Sequence, residues 1–406
     1  MSDELSCNDH ALMSKEKLKQ VVNQLTQLNQ LPAKFQSEIH QISELSQGNV
    51  NQVFRLQLLN DFSLIAKYAP PFAYRYQAIA INSERNLFEA DILEKFAQMK
   101  ESAYPEVYYY SEKHHLMLME DLSDCVVIRD ALIKGEIFNQ FKAQVIEMIA
   151  SYANNIPEDQ SPQGSNISYK EGIVELQEIT RLFVFEYPFG LDYPNGVLCL
   201  EENLTWVKTH IFENTHLQAT RAKLQQIYYN KQDALIHGDL HTGSIMLNQH
   251  KMKAIDPEFA KIGPISFDIG MLIANLFISL LASNYHLKND HKQKLKFQLW
   301  LKDTISYIYN QSIELLVGLN FDKTKLKVEM IGFCAIEIIR RTIGSAQVAD
   351  FLSIDCHTSR QMIEKQALIL AVEQLTLTEK NNSIEASLTL VSELLKEDIA
   401  LDVASV

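Results

Sequence analysis

The stretch HGDLHTGS occupies residues 237–244, and the triplet DPE follows it at residues 256–258. Two short apolar runs with a polar turn between them predict a β-hairpin at residues 245–255. Because a hairpin returns the chain alongside itself, its second strand delivers Asp256 beside the loop that holds Asp239. We therefore expect the carboxylates of Asp239 and Asp256 to meet at one end of this hairpin. This pair of carboxylates indicates the fold that we expect for the whole chain.

The spacing of these acidic residues predicts phosphoryl transfer. That reaction needs a carboxylate to orient or deprotonate the acceptor hydroxyl, and acidic ligands for the Mg²⁺ that bridges the phosphates. A kinase catalytic loop has its base two residues after a histidine, a metal ligand five residues later, and a second metal ligand opening the next turn. Asp239, Ser244 and Asp256 match these positions. We assign Asp239 as the base and Asp256 as the main Mg²⁺ ligand, with Glu258 and Ser244 as further metal ligands.

The N-terminal part of the chain predicts strands and a lysine for the phosphates of ATP. Apolar residues alternate at residues 53–58 and 62–67, which is typical of strands, and a helical pattern follows at residues 83–99. Lys67 ends the second strand and is the candidate phosphate lysine. Its acidic partner would lie on the helix, where spacing alone does not choose among Glu84, Glu89 and Glu94.

Two further segments predict contacts with ATP. The turn at residues 47–51 would cover the phosphates with Gly48, Asn49 and Asn51. An apolar strand then runs into Glu120-Asp121-Leu122, a segment that can supply backbone groups to adenine between two lobes. The chain has neither a G-x-x-x-x-G-K-[ST] nor a G-x-G-x-x-G motif, which disfavours a Walker-type kinase and a Rossmann enzyme.

Arg340 and Arg341 are adjacent within a helical stretch predicted at residues 328–349. Neighbouring residues on a helix point about 100° apart, so one side chain can face a cleft while the other packs. Their flanking residues are apolar, so we expect at least one guanidinium to be partly buried and paired. A buried guanidinium suits two-pronged binding of hydroxyl groups or of a developing phosphate.

Each of these residues also has an ordinary structural interpretation. Asp239 could cap a turn, Asp256 could open an Asp-Pro turn, and Lys67 could be a surface lysine. For one aspartate alone this would be a fair interpretation. The two aspartates occur together, at this spacing and next to matching strands, and this combination favours the catalytic interpretation.

The order of elements predicts an α+β, bilobal, protein-kinase-like fold. Strands and one main helix dominate before residue 121, and helices dominate from residue 127 onward, apart from the central hairpin. We divide the chain into a lead at residues 1–13, an N-lobe at residues 14–121 and a C-lobe at residues 122–406.

Composition limits the partners and the compartment. The formal net charge of −14 argues against a nucleic-acid or anionic-membrane surface. The N-terminus has no signal-peptide pattern, and the most apolar stretch, residues 269–282, is shorter than the roughly 18–20 residues of a membrane span, so we expect a buried helix. Five scattered cysteines without a Cys-x-x-Cys pair indicate free thiols in a reducing cytoplasm.

These motifs resemble the 5-methylthioribose kinase family, in the aminoglycoside-phosphotransferase-like branch of the kinase fold. HGDLHTGS and the DPE triplet carry the resemblance most specifically, and the segments that match it best are residues 48–54, 83–90, 119–123 and 340–351. The resemblance extends from about residue 14 to about residue 374.

The resemblance implies transfer of the γ-phosphate of ATP to the 1-hydroxyl of 5-methylthioribose in methionine salvage. It implies that Asp239, Arg340 and Arg341 contact the sugar and that Asp256 and Glu258 hold Mg²⁺. The alignment favours Glu89 as the partner of Lys67. The resemblance also implies a cytoplasmic homodimer and a structural role for Asp268.

Three departures from the family pattern concern the substrate more than the reaction. Residues 70–77 differ from the stretch expected after Lys67, residues 180–190 match the sugar lid only loosely, and Gln347 replaces an expected histidine. A kinase of another sugar or of an amino alcohol therefore stays an alternative, although paired arginines argue against a cationic substrate. A catalytically silent kinase-like binding module is a second alternative, which the presence of Lys67 and both aspartates disfavours.

Overall fold

The computed structural model describes residues 12–45, 50–155, 167–190, 203–376 and 383–404. The N-terminal half is built on a five-stranded antiparallel sheet in the order β1-β2-β3-β7-β6. Its elements are α1 (Lys15–Gln27), β1 (Ile39–Leu45), β2 (Gln52–Leu58), β3 (Ser63–Tyr68), β4 (Phe72–Ala73), β5 (Tyr76–Ala80), α2 (Arg85–Lys100), β6 (Val107–Ser111) and β7 (Leu116–Glu120).

Helix α1 covers one face of this sheet. Ser14 caps the helix, because its hydroxyl accepts the Lys17 N–H at 3.2 Å. The apolar stripe of α1 is buried against the Phe54 and Leu64 side of β2 and β3. Since side chains alternate along a strand, Lys67 of β3 points to the opposite face, toward α2.

The segment at residues 70–77, which departs from the family pattern, contains a small hairpin instead of irregular chain. Strand β4 pairs with β5, and the Tyr74 N–H donates to the Val50 carbonyl at 3.0 Å. A two-residue strand is too short to show a period of two, so the sequence pattern could not reveal it.

The C-terminal half is helical, as predicted. Its helices are α3 (Ile128–Ile133), α4 (Phe141–Ala153), α5 (Val174–Thr180), α6 (Leu204–Val207), α7 (Thr215–Asn230), α8 (Ile265–His286), α9 (His291–Gly318), α10 (Lys323–Ile343), α11 (Ala349–Leu352), α12 (His357–Thr376) and α13 (Ile384–Ala404). Helix α8 lies at the centre, packed against α9, α10 and α12. The result is the predicted α+β fold with a small strand-rich part and a larger helical part, and the lobe limits 14–121 and 122–406 stay a prediction.

The expected hairpin is present within the helical half. It consists of β10 (Ile245–Leu247) and β11 (Met252–Ala254), which pair antiparallel. Three further short strands were not predicted: β8 (Val126–Val127) pairs with β10, and β9 (Ala234–Ile236) pairs with β12 (Lys261–Gly263). These two strand pairs hold both ends of the catalytic loop at residues 237–244, because the loop follows β9 and precedes β10.

The most apolar stretch forms the core of α8. This helix has 22 residues, so the expectation that the stretch is too short for a membrane span was wrong. Among the helices that the structure describes, it is the one that is long and apolar enough to cross a membrane. All of its most apolar window is buried inside the protein, which confirms the prediction of a buried core helix.

Candidate active site

The loop between β9 and β10 has a fixed backbone. Gly238 has φ +82°, and a Cβ atom there would lie 2.1 Å from the Phe259 carbonyl oxygen, so only glycine fits without strain. Asp268, in the first turn of α8, accepts the N–H groups of His237 at 2.7 Å and Gly238 at 3.0 Å. Asp268 therefore supports the loop, in agreement with the structural role expected for it.

Asp239 lies at the centre of a group of positive side chains. Its Oδ1 accepts hydrogen bonds from Arg340 Nη1 at 3.1 Å and from Arg341 Nη2 at 3.4 Å. His241 Nε2 lies 3.3 Å from Oδ2. The structure thus brings together three residues that were predicted to contact the sugar from positions about a hundred residues apart, namely Asp239, Arg340 and Arg341.

Glu337 holds the two arginines in place. Its Oε2 accepts from Arg340 Nη1 at 3.1 Å, and its Oε1 accepts from Arg341 Nε at 2.5 Å. Glu337 is fully buried on α10. Burial works to raise the pKa of this carboxyl, but the neighbouring arginines outweigh it and hold the pKa below its usual value. Glu337 therefore stays charged and fixes both guanidinium groups.

The same balance sets the charge of Asp239. Burial works to raise the pKa of its carboxyl, whereas His241 when protonated, Arg340 and Arg341 lower it, and the pKa lies well below its usual value. Burial lowers the pKa of His241 to about 4, so at neutral pH the arginines supply the positive charge. Asp239 is consequently an ionised carboxylate that can accept a hydroxyl proton in a hydrogen bond.

The turn after the hairpin presents the second aspartate. Asp256 has φ +61°, a left-handed conformation that aspartate tolerates better than most residues. Its side chain is 52% exposed, and its Oδ1 accepts from Lys67 Nζ at 2.8 Å. Burial alone would raise the pKa of Asp256, but Lys67 lowers it below the usual value.

Lys67 joins this turn to α2. Its Nζ lies 2.6 Å from Glu89 Oε1, so of the three glutamates considered the structure pairs Lys67 with Glu89. Burial works to lower the pKa of Lys67, but the carboxylates of Asp256 and Glu89 raise it above the usual value. A charged lysine beside an exposed carboxylate is the arrangement that binds nucleotide phosphates in kinases.

Glu258 and Asn51 form a second contact at the same turn. Asn51 Nδ2 donates to Glu258 Oε2 at 2.8 Å, and Asn51 Oδ1 accepts from Arg85 Nε at 2.9 Å. Burial raises the pKa of Glu258 above its usual value. Gly48 and Asn49, predicted to cover the phosphates beside Asn51, lie outside the described residues.

The acidic residues of this turn suit Mg²⁺ bound together with phosphates. Among the described residues no three His, Cys, Asp or Glu side chains converge as a protein-only metal cluster. Mg²⁺ is usually held by one or two carboxylates plus substrate phosphates and water, and not by such a cluster. Asp256 with Glu258 is a donor set of that kind.

Ser244 is directed into the catalytic loop. Its buried hydroxyl accepts the His241 N–H at 2.9 Å and lies 3.0 Å from the carbonyl oxygens of Asp239 and His241. These contacts close the loop around Asp239. The metal-ligand role assigned to Ser244 stays a prediction.

The three residues predicted to lie beside adenine have other partners for their side chains. Glu120 pairs with Lys253 Nζ at 2.8 Å, and Asp121 pairs with Arg55 Nε at 2.9 Å. Leu122 is buried, and its carbonyl accepts the Cys125 N–H at 2.9 Å. Any contact of this segment with adenine would therefore come from the remaining backbone groups.

Sequence inspection missed several polar residues of the site. Glu337 comes three positions before Arg340 and four positions before Arg341. This spacing is typical of ion pairs on a helix, and it is visible in the sequence. Arg85 was visible only as part of a motif. Arg129 gave no signal, because it reaches the catalytic loop from a distant part of the chain, and Asn275 acts one step further away as a partner of Arg129.

The fold and this constellation define a small-molecule kinase of the protein-kinase-like class. Residues 197–286 match the family described as "Phosphotransferase enzyme family". Methylthioribose kinase of Bacillus cereus (strain B4264) is 31% identical over 376 residues, which are 88% of this chain and 92% of that protein. The methylthioribose kinase of Bacillus thuringiensis (strain Al Hakam) is 31% identical over 367 residues, 86% of this chain and 90% of that protein.

The chain therefore belongs to the methylthioribose kinase family, which confirms the resemblance seen in its motifs. Among solved structures, a choline/ethanolamine kinase family protein from Mesorhizobium loti is 12% identical, with a TM-score of 0.47 and coverage of 91% of this chain and 98% of that chain.

Proposed function

We propose that this protein transfers the γ-phosphate of ATP to the 1-hydroxyl group of 5-methylthioribose, with Mg²⁺ on the phosphates. The observation that carries the proposal is the contact of Arg340 and Arg341 with one carboxylate oxygen of Asp239. This arrangement places hydrogen-bond donors for a sugar beside the group that orients its hydroxyl. The names of the similar Bacillus proteins supply the identity of the sugar.

In the proposed reaction Asp239 accepts the proton of the sugar hydroxyl as that oxygen attacks the γ-phosphorus. A new O–P bond forms, the bond from the γ-phosphorus to the bridging oxygen of ADP breaks, and the proton later leaves Asp239 for solvent. Because the transition state of phosphoryl transfer is loose, orientation of the hydroxyl matters more than the strength of the base. A carboxylate with a lowered pKa suits that role.

The phosphates of ATP would bind at Lys67, Asp256 and Glu258. Lys67 supplies a positive charge and is held in place by Glu89. Mg²⁺, when bound, neutralises the charge that develops on the phosphates. Asp256 and Glu258 would hold it, while Asn51 keeps Glu258 in a fixed orientation.

The electrostatics of the acceptor side favour a neutral sugar over a choline-like cation. Two guanidinium groups contact Asp239, and Arg129 lies within hydrogen-bond reach of His241 beside it. Asp239 and Glu337 balance the charges of Arg340 and Arg341, so the acceptor side has no excess of negative charge to attract a cationic amino alcohol, whereas hydroxyl groups can accept hydrogen bonds from the guanidinium groups. The proposal also includes the cytoplasmic homodimer and the place in methionine salvage that the family resemblance implies.

Measurement of ADP release with a panel of acceptors tests the proposal. The panel should contain 5-methylthioribose, ribose, choline and an aminoglycoside, each with MgATP. We expect the highest kcat/KM with 5-methylthioribose. Turnover on choline or the aminoglycoside without turnover on 5-methylthioribose would contradict the assignment of the substrate.

The Asp239→Asn variant tests the assignment of the base. The amide keeps the size of the side chain but cannot take up a proton, so we expect kcat to fall by about 100-fold or more. An unfolding curve that matches that of the unchanged protein serves as the control for folding. An unchanged kcat would remove Asp239 from this role.

A further inference from the structure

His241 has its two ring nitrogens in different surroundings. Nδ1 lies 2.9 Å from the Gly243 backbone nitrogen and 3.3 Å from Arg129 Nη2. Nε2 lies 3.3 Å from Oδ2 of Asp239. The ring therefore stands between two hydrogen-bond donors on one side and the proposed catalytic base on the other.

These neighbours determine which nitrogen carries the proton. A backbone N–H and a guanidinium can only donate, so Nδ1 must accept and cannot hold a proton in this arrangement. In the neutral ring the proton is then on Nε2, which donates to Asp239. In the opposite tautomer the proton on Nδ1 would face two hydrogen-bond donors. The unprotonated Nε2 would face a carboxylate oxygen of Asp239, and both of these atoms are acceptors.

Arg129 is held in place by contacts from three elements. Its own backbone N–H, at the start of α3, donates to the Thr242 carbonyl at 3.0 Å. Its Nη2 donates to Asn275 Oδ1 of α8 at 3.1 Å, and its Nε lies 3.5 Å from Asp350 Oδ2 of α11. Asp350 is itself buried and accepts from Ser279 at 2.5 Å.

The catalytic loop leaves room for this guanidinium. A Cβ atom at Gly243 would lie 2.6 Å from Arg129 Nη1 and 2.9 Å from His241 Cε1. Glycine at this position therefore permits the close approach of Arg129 to the loop. The same network also reaches the paired arginines, because Asn275 Nδ2 donates to Glu337 Oε1 at 3.1 Å.

We infer that Arg129 is a positioning residue that acts through His241: Arg129 and the Gly243 N–H fix the ring with its proton on Nε2, and this proton orients Asp239. Asp239 is then oriented from two directions, by Arg340 and Arg341 on Oδ1 and by His241 on Oδ2. Neither Arg129 nor His241 needs to touch the sugar. The kinetic consequence rests on the proposed role of Asp239, whereas the protonation of His241 does not.

Nitrogen NMR of protein labelled with ¹⁵N-histidine tests the first step without any substrate. The chain has 12 histidines, and loss of one pair of ring-nitrogen signals in His241→Gln assigns the signals of His241. We expect a protonated Nε2 and an unprotonated Nδ1 at neutral pH, and in Arg129→Met the same tautomer with a shifted Nδ1 signal, because the Gly243 N–H still donates to Nδ1. A protonated Nδ1 in the unchanged protein would overturn the inference.

Steady-state kinetics test the second step, with whichever acceptor of the panel supports ADP release. Because a misplaced catalytic group costs up to about 100-fold in rate, Arg129→Met should lower kcat by about 10- to 100-fold, with KM for the acceptor changed by less than about threefold. His241→Gln retains an N–H near the position of Nε2 and should keep most of the kcat that His241→Leu loses.

Lys231→Met is the matched control, because it removes a partly buried cation whose two acidic partners, Asp233 and Glu329, are not residues of the catalytic loop. This variant should keep kcat. An unchanged kcat in Arg129→Met, or an equal loss of kcat in Lys231→Met, would overturn the positioning role. If 5-methylthioribose itself is not turned over, the proposed substrate fails while the NMR result still decides the tautomer.

Discussion

Asp239 is held by hydrogen-bond donors on both carboxylate oxygens, and these donors come from different parts of the chain. Arg340 and Arg341 approach Oδ1 from α10, and His241 approaches Oδ2 from the catalytic loop itself. A carboxylate held in this way keeps few orientations, so little ordering is needed when a substrate hydroxyl binds. In the proposed reaction Asp239 therefore acts through its orientation and not through high basicity.

Arg340 holds its guanidinium fork beside Asp239, where we propose that the sugar binds. Its Nη1 is shared between Asp239 and Glu337, whereas its buried Nε makes no hydrogen bond to the described residues. Lysine cannot supply this fork, and hydrogen bonds to charged groups contribute about 1.5–3 kcal/mol, so Arg340→Lys should raise KM for the acceptor by about 10- to 100-fold. Steady-state kinetics with varied acceptor measure this effect.

Arg55→Lys is the control for that substitution, because Arg55 pairs with Asp121 beside the N-terminal sheet and contacts none of the residues proposed to bind the sugar. It should leave KM for the acceptor unchanged. If Arg340→Lys lowers only the unfolding midpoint and leaves KM unchanged, Arg340 has a structural role alone.

The lowered pKa of Asp239 predicts how the rate depends on pH. A carboxyl group is ionised at every pH above its pKa, so Asp239 should cause no loss of kcat/KM between about pH 8 and about pH 5. Arg340→Met removes one of the charges that lower the pKa of Asp239, whereas the effect of burial, which raises this pKa, remains. The pKa of Asp239 should therefore rise. The base then takes up its proton at higher pH.

The ratio of kcat/KM in Arg340→Met to that in the unchanged protein should therefore fall as the pH is lowered. Taking the ratio at each pH cancels the titration of ATP, which both proteins share. A ratio that is independent of pH would show that Arg340 does not control the charge of Asp239.

For single residues, the sequence reveals those whose role depends on their spacing to other residues nearby in the chain. Asp239 and Asp256 could be found from one motif and one hairpin, and Glu337 could have been found from its distance to the arginines. Arg129 could not, because it lies 110 positions before Asp239 in the chain. Its proximity to the loop arises from the packing of α3 against α8, which no local pattern encodes.

Among the elements, the start of β2 depends on a buried arginine. Arg85, at the start of α2, donates to the carbonyl oxygens of Val50 at 3.1 Å and Phe72 at 3.3 Å, and to Asn51 Oδ1 at 2.9 Å. One side chain thereby connects α2, the two residues before β2 and the β4–β5 hairpin. Asn51 extends the connection to Glu258 in the other half of the molecule.

Removal of the Asn51 side chain should therefore destabilise the protein. In Asn51→Ala both Arg85 Nε and Glu258 Oε2 lose a buried partner, and unsatisfied buried polar groups cost about 1–3 kcal/mol each. We expect the free energy of unfolding in urea to fall by about 2–6 kcal/mol, together with a higher KM for MgATP.

Asn60→Ala provides the comparison, because Asn60 makes one exposed hydrogen bond, to the Lys34 carbonyl at 2.9 Å. Its free energy of unfolding should stay within about 0.5 kcal/mol of the unchanged protein. Equal effects of the two substitutions would contradict the bridging role of Asn51.

The same elements show what sequence patterns can and cannot predict. The long helices and the strands of the main sheet display periods that extend over several residues, so α2, β2 and β3 were found with nearly correct limits. Strands β4, β8 and β12 have two or three residues and exist because a partner lies beside them. Their formation depends on tertiary contacts and not on local preference.

Over the whole molecule, three sets of polar contacts join the N-terminal sheet and its helix to the hairpin of the C-terminal half. Lys67 meets Asp256, and Asn51 meets Glu258. The third set lies at the end of β7, where Lys253 Nζ of β11 contacts Glu120 Oε2 at 2.8 Å and the Tyr104 carbonyl at 2.7 Å. The first two involve proposed ligands of MgATP, whereas the third lies where the chain passes from one half to the other.

Lys253 should therefore limit the motion of the two halves independently of nucleotide. Its side chain is 12% exposed. Lys253→Met therefore removes the charged partner of the Tyr104 carbonyl and of Glu120, which keeps the Glu106 N–H at 3.2 Å, and water replaces this partner only in part. We expect faster amide hydrogen exchange in peptides that cover residues 120–127, because a segment with fewer buried contacts opens at lower free energy. Mass spectrometry of the exchanged peptides measures this change without ATP or sugar.

Lys251→Met is the matched control on the same hairpin. Lys251 lies 3.7 Å from Glu120 and 3.0 Å from Asp124, and its side chain is 31% exposed, so solvent screens its contribution. Exchange at residues 120–127 should change much less than in Lys253→Met, while exchange within α8, buried at the centre of the helical half, should change in neither variant. Equal acceleration in the two variants would mean that charge near Glu120, and not the buried contact of Lys253, holds the halves together.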